Sequence, residues 1–136
     1  MALAVACVAG GLAGCKRTPH PASAAPLPET AVAWRPLGSW SGRGSTQTES
    51  FLSDTGTLRV RWDTRNEKSK DAGTFRLTLQ SSISGRPLNV AVDHRGPGHG
   101  LAYVPETPRV FYALIESADI DWSFTVEEGV VGTVKN

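Results

Sequence analysis

Apolar and polar residues alternate with a period of two in four separate runs, a pattern that a half-buried β-strand satisfies and a helix does not. Leu58, Val60 and Trp62 alternate with Arg59, Arg61 and Asp63, and Phe75, Leu77 and Leu79 with Arg76, Thr78 and Gln80. Leu88, Val90 and Val92 alternate with Asn89, Ala91 and Asp93, and Ile120, Trp122, Phe124 and Val126 with Asp121, Ser123, Thr125 and Glu127. Successive strand side chains point to opposite faces, so each run predicts one face on a core and one in water. Val110 to Ile115 is apolar on both sides, which predicts a central strand.

Turn chemistry separates these runs. Asp54-Thr55-Gly56, Ser84-Gly85-Arg86-Pro87 and Arg95-Gly96-Pro97-Gly98 supply glycine for positive φ and proline for fixed φ. The charged stretch Asn66 to Ala72 reads as a solvated hairpin loop, and no stretch holds a helical period. With weaker strands at Leu37 to Trp40, Thr48 to Leu52 and Leu101 to Val104, the count is about seven or eight. That predicts an all-β fold, a single antiparallel β-sandwich of jelly-roll type.

The first residues have a different character. Ala2 to Ala13 is an uncharged apolar stretch, shorter than the roughly 20 residues of a spanning helix and of the length of a secretory h-region. A charged n-region is missing before Ala2, which points to a start upstream of Met1. Cys7 follows too short an apolar run to close such a signal. Ala22-Ser23-Ala24 has the small-x-small form of an ordinary cleavage site but lies past Lys16, Arg17 and two prolines.

Leu12-Ala13-Gly14-Cys15 resembles the bacterial lipobox. The resemblance implies cleavage before Cys15 and acylation, with palmitate-type chains, of its sulfur and amine. Two or more chains anchor a protein stably, so it implies a lipoprotein held on membrane lipid in the bacterial cell envelope, facing the periplasm or the exterior. The expected organisation is therefore a signal peptide over 1–14, a lipidated cysteine and Pro/Ala-rich linker over 15–33, and a β-sandwich over 34–136. Pro19, Pro21, Pro26 and Pro28 favour extended geometry at ~3.1 Å per residue, a tether of roughly 50 Å. His20, between two of them, reads as a solvated linker residue.

Charge and cysteine content narrow the chemistry. Of the 14 Lys and Arg and the 13 Asp and Glu, only Lys16, Arg17 and Glu29 precede Trp34, so the domain is formally neutral and its charges are scattered. Nucleic-acid binding leaves a basic footprint that is not seen here. Both cysteines, Cys7 and Cys15, precede the domain, which excludes a disulfide, a thiolate zinc site and thiol redox chemistry within it.

Gly38-Ser39-Trp40-Ser41-Gly42, Thr48-Glu49-Ser50-Phe51, Leu58-Arg59-Val60-Arg61-Trp62, Phe111-Tyr112-Ala113-Leu114-Ile115 and Asp121-Trp122-Ser123-Phe124-Thr125-Val126 succeed one another in this order. The pattern is similar to the CUB-like or pre-peptidase C-terminal-type β-sandwiches of exported bacterial proteins. The resemblance implies the architecture and a module that binds or supports a protein or envelope-polymer partner.

Catalytic signatures are sparse. Asp93 and His94 are neighbours on a strand and face opposite ways, and no G-x-S-x-G elbow occurs. A small hydrolase would need a concave pocket joining His94 or His99 to a serine and an acid. Glu116, Asp119 and Asp121, at what reads as the last hairpin, are weak calcium candidates, because calcium needs six or more oxygens. Trp62 and Trp122 fall on apolar strand faces and read as core. Trp34 and Trp40 lie at the domain entrance, and Trp40 and Tyr103 are the candidates for ligand contact. The expectation is a non-catalytic binding or interaction module without a cofactor, with carbohydrate or calcium binding as the alternative and a small hydrolase behind it.

Overall fold

The computed structural model describes residues 30 to 133, and the side chains of 32 to 131. Nine strands follow in order: β1 Thr30–Arg43, β2 Thr46–Gln47, β3 Phe51–Ser53, β4 Thr57–Arg65, β5 Thr74–Ser81, β6 Pro87–Arg95, β7 Gly98–Pro105, β8 Arg109–Ala118 and β9 Asp121–Thr133. No helix among the described residues is long and apolar enough to cross a membrane. Leu12 to Cys15, which resemble a lipobox, and most of the expected linker lie outside the described residues. β1 begins at Thr30, ahead of Trp34 where the sequence sets the domain start.

Two antiparallel sheets face each other, one ordered β1-β9-β4-β7 and the other β2-β8-β5-β6, with β3 also paired to β8. β2 and β3 meet successive stretches of β8, at Leu114 to Ile115 and at Arg109 to Phe111, and so act as one interrupted strand. Counted that way the chain is an eight-stranded jelly-roll β-sandwich. The expected central strand, β8, does lie between β5 and β2/β3.

Most connections cross from sheet to sheet. Asn66 to Ala72 joins β4 of the first sheet to β5 of the second, and the β8 to β9 turn returns to the first. Both were expected to be hairpins and are arches over the ends of the sandwich. The residues suit either role, since Asn66, Asp71 and Asp119 take positive φ, but local turn chemistry does not say which sheet receives the next strand. Only the Ser84-Gly85-Arg86-Pro87 turn closes a true hairpin between long strands, β5 and β6. Gly56, at φ +73°, turns the β3 to β4 arch, and a Cβ there would lie 2.3 Å from the Thr107 backbone.

Between the sheets lies the core, built from the inward positions of the alternating runs. Leu58, Val60, Leu77, Phe111, Ile115 and Val126 are each almost wholly buried. Trp122 is 4 % exposed, while Trp62 is only half-buried and packs on the core's edge against Phe75. Val90 departs from its expected place and is 45 % exposed. Leu77 pairs with Val92 but Thr78 pairs with Val90, so Ala91 is an extra residue that reverses the alternation and sends Val90 outward.

Candidate functional site

The outward positions of the four-stranded sheet form cross-strand rows, because its strands are in register. Trp40 of β1 pairs with Phe124 of β9, Phe124 with Trp62 of β4, and Trp62 with Gly100 of β7. On the outer face the backbone of this row is bare, since Trp62, Phe124 and Trp40 turn toward the core. On either side stand two rows of outward side chains, Ser41, Ser123, Asp63 and His99 in one and Ser39, Thr125, Arg61 and Leu101 in the other.

A trough of about 740 Å³ lies between these rows and crosses all four strands. Side chains two residues apart on a strand are separated by about 7 Å, and four strands span about 14 Å, which sets its width and length. Ser123 Oγ donates to Asp63 Oδ1, and the hydroxyls of Ser39 and Thr125 are 2.7 Å apart. The lining therefore offers hydroxyl groups, a carboxylate, an imidazole and a guanidinium. Leu101, 42 % exposed, supplies an apolar end on β7.

The next row is rigid and charged. Arg59 donates from Nε and Nη2 to the two oxygens of Glu127, each at 3.2 Å, and Arg61 Nε donates to Glu127 Oε1 at 3.3 Å. The hydrogen bonds from Arg59, helped by Arg61, hold the Glu127 carboxyl below the usual range. Arg59 lies 4.2 Å over the Trp34 ring, which meets Tyr103 edge-on at 5.8 Å. Tyr103 is 63 % exposed beside Leu101.

The two ligand-contact candidates thus sit differently. Tyr103 projects from the outer face at the rim of the trough. Trp40 turns inward and stacks on Phe124 at 5.2 Å, with its indole N–H directed at Glu49. Its ring covers Gly38, where a Cβ would fall 2.4 Å from it.

The histidines are separated as well. His99 stands beside Asp63 on the outer face, whereas His94 lies at the inner side of β6, 4.7 Å from Trp62, with its buried Nε2 bonded to no described residue. Asp63 has Ser123 on one side and His99 on the other. That order puts the acid, not the imidazole, against the serine.

The acidic group is dispersed. Glu116 pairs across from Arg76 on the five-stranded sheet, Asp119 occupies the arch, and Asp121 accepts hydrogen bonds from Asn66 at 2.8 Å and Arg43 at 3.0 Å. Those two partners hold the Asp121 carboxyl below its usual range. Among the described residues, no three His, Cys, Asp or Glu side chains gather so as to hold a metal ion.

In the sequence, Arg61, Asp63, Ser123 and Thr125 are the polar half of strand alternation, and Ser39 and Ser41 belong only to the segment that carries the family resemblance. Their shared face follows from the strand order β1-β9-β4-β7, which joins segments from both ends of the chain.

Fold and face together define a jelly-roll β-sandwich with an open trough across its four-stranded sheet, mostly apolar in its lining and edged by polar side chains. No protein-family model matches the chain, and no curated protein matches it at a significant level.

Proposed function

We propose that the chain is a non-catalytic binding module of the bacterial cell envelope, anchored by acyl chains on Cys15, whose ligand surface is the outer face of the four-stranded sheet. The trough is the observation that carries this reading. It spans every strand of the sheet, and its polar groups are held by a fixed backbone register rather than by loops. An envelope polymer or envelope protein is the partner class that the β-sandwich resemblance suggests for a module held in the envelope.

Filling the trough tests the reading. Thr125→Trp places a large ring between the two rows, on an outward position that the core does not use. Sedimentation of the full chain in detergent with insoluble cell-wall polymer, together with amide shift mapping, reads the outcome. The expected result is binding weakened at least about tenfold by Thr125→Trp, with an unchanged melting curve. Binding that is indifferent to the substitution, or shifts confined to the five-stranded sheet, would overturn it.

A further inference from the structure

We infer that the trough takes a polyhydroxyl chain bearing carboxylates, a uronate-containing oligosaccharide laid across the strands with one carboxylate on Arg61. This rests on the trough being the binding surface and adds the chemical class of its ligand.

Charge bookkeeping in the row beside the trough comes first. Two guanidinium groups share the single carboxylate of Glu127, which leaves one positive charge in surplus. Arg59 is committed, since two of its nitrogens hold Glu127 and its plane lies on Trp34 with only 15 % of the side chain exposed. Arg61 has 62 % of its side chain exposed and gives only Nε to Glu127, and its two terminal nitrogens bond to no described residue. Glu127 thus fixes the orientation of a guanidinium whose remaining donors border the trough. A planar carboxylate accepts two parallel N–H···O bonds from such a fork.

The neighbouring groups complete the match. Ser39, Ser41, Ser123 and Thr125 can each donate and accept, and the Asp63 side chain accepts from Ser123 and lies 3.8 Å from Arg65. Asp63 is thus partnered from two sides, and the guanidinium that borders the trough with terminal donors bonded to no described residue is that of Arg61. Leu101 and Tyr103 give the β7 end an apolar surface for the C–H face of a sugar ring. A neutral glycan would offer the Arg61 fork hydroxyl acceptors but no charge, and so only the weaker neutral hydrogen bonds. A nucleic acid would need several uncommitted cations, and the face has one in surplus. An extended peptide gains most from a sheet edge, whereas this is a sheet face.

Titration of the full chain in detergent with trigalacturonate, its methyl ester and a sulfated oligosaccharide of similar length decides the matter. Trigalacturonate should shift the amides around Arg61, Thr125 and Leu101 and bind more weakly as salt is raised. Affinity should fall about tenfold or more on esterification or with Arg61→Gln, and severalfold with Arg61→Lys, which keeps the charge but loses the fork. Arg76→Gln, on the opposite sheet, should change nothing. Equal binding of acid and ester at the trough, unaltered by Arg61→Gln, would overturn the carboxylate inference and leave the trough reading standing. Tighter binding of the sulfated oligosaccharide, or full retention by Arg61→Lys, would also overturn it. If no oligosaccharide binds, the inference fails, and the Thr125→Trp sedimentation separately decides whether the trough binds anything.

Discussion

Glu128 is wholly buried near the end of β9, and Arg35 of β1, its cross-strand partner, donates to its carboxylate from Nε at 3.0 Å and also from Nη2. The other carboxylate oxygen accepts Ser53 Oγ at 2.8 Å and the backbone N–H groups of Asp54 at 2.9 Å and Thr55 at 3.3 Å. One side chain therefore ties β1 and β9 of the first sheet to β3 of the second and to the arch that follows it. A buried carboxylate without such partners would be costly; here every contact favours its ionised form.

Acid stability should report this site. Burial pushes the Glu128 carboxyl up, but the bonds from Arg35, Ser53, Thr55 and Asp54 outweigh it and bring its pKa down to about 2 from 4.5. A depressed folded-state pKa contributes stability that is fully present above the unfolded value and is lost as pH falls through the folded one. The contribution is about 3 kcal/mol at neutral pH, fading between about pH 4.5 and pH 2. Urea denaturation across that range should show the decline, and Glu128→Gln should lower stability at pH 7 and flatten the acid limb. An acid limb that survives unchanged in Glu128→Gln would assign it to other carboxylates.

The alternation that made the core readable says nothing about Glu128. It occupies an inward position, two residues after Val126, where the expected residue is apolar. Its partners come from β1, β3 and a turn, and no local pattern joins them. The strand faces were legible because period two is a property of a single strand. Strand order is a property of the whole sandwich, so two arches were read as hairpins, and Val90 was misplaced because a bulge has no fixed sequence mark.

Trp122 offers a direct test of the part that was legible. It is 4 % exposed, faces Phe75 at 6.0 Å and Phe124 at 5.6 Å, and donates its indole N–H to the Gly44 carbonyl at 3.0 Å. Its ring lies over Gly42, the cross-strand partner, where a Cβ would come within 3.0 Å. Trp122→Ala should therefore cost about 3 to 5 kcal/mol, from lost burial and an uncollapsed cavity. Equilibrium urea denaturation measures it, and an unchanged midpoint would mean that this face of β9 does not bear on the core.

The trough was only half legible, for the reason that affects strand order. Arg61, Asp63, Ser123 and Thr125 were each correctly outward, but only the pairing of β4 with β9 and β7 makes them neighbours. Trp40, near the domain entrance in the sequence, is a candidate for ligand contact and is among the residues that line the trough. In the fold its ring fills the space above Gly38 and against Phe51, at 5.5 Å, and Phe124.

The proposed anchor at Cys15 can be tested independently of the domain. If the sequence Leu12-Ala13-Gly14-Cys15 acts as a lipobox, the sulfur of Cys15 carries a diacylglyceryl group and cleavage before it frees the amine for a further acyl chain. A single acyl chain gives marginal, reversible binding and two give stable anchoring, so removing the thiol removes the whole attachment rather than a fraction of it. Cys15→Ala in the full chain should move the protein from the membrane to the soluble fraction and abolish incorporation of a fatty-acid analogue. Cys7→Ala should leave both unchanged, because its upstream apolar run is too short for a signal h-region. Continued labelling of Cys15→Ala, or its loss in Cys7→Ala, would remove the anchor assignment without touching the sandwich or its trough.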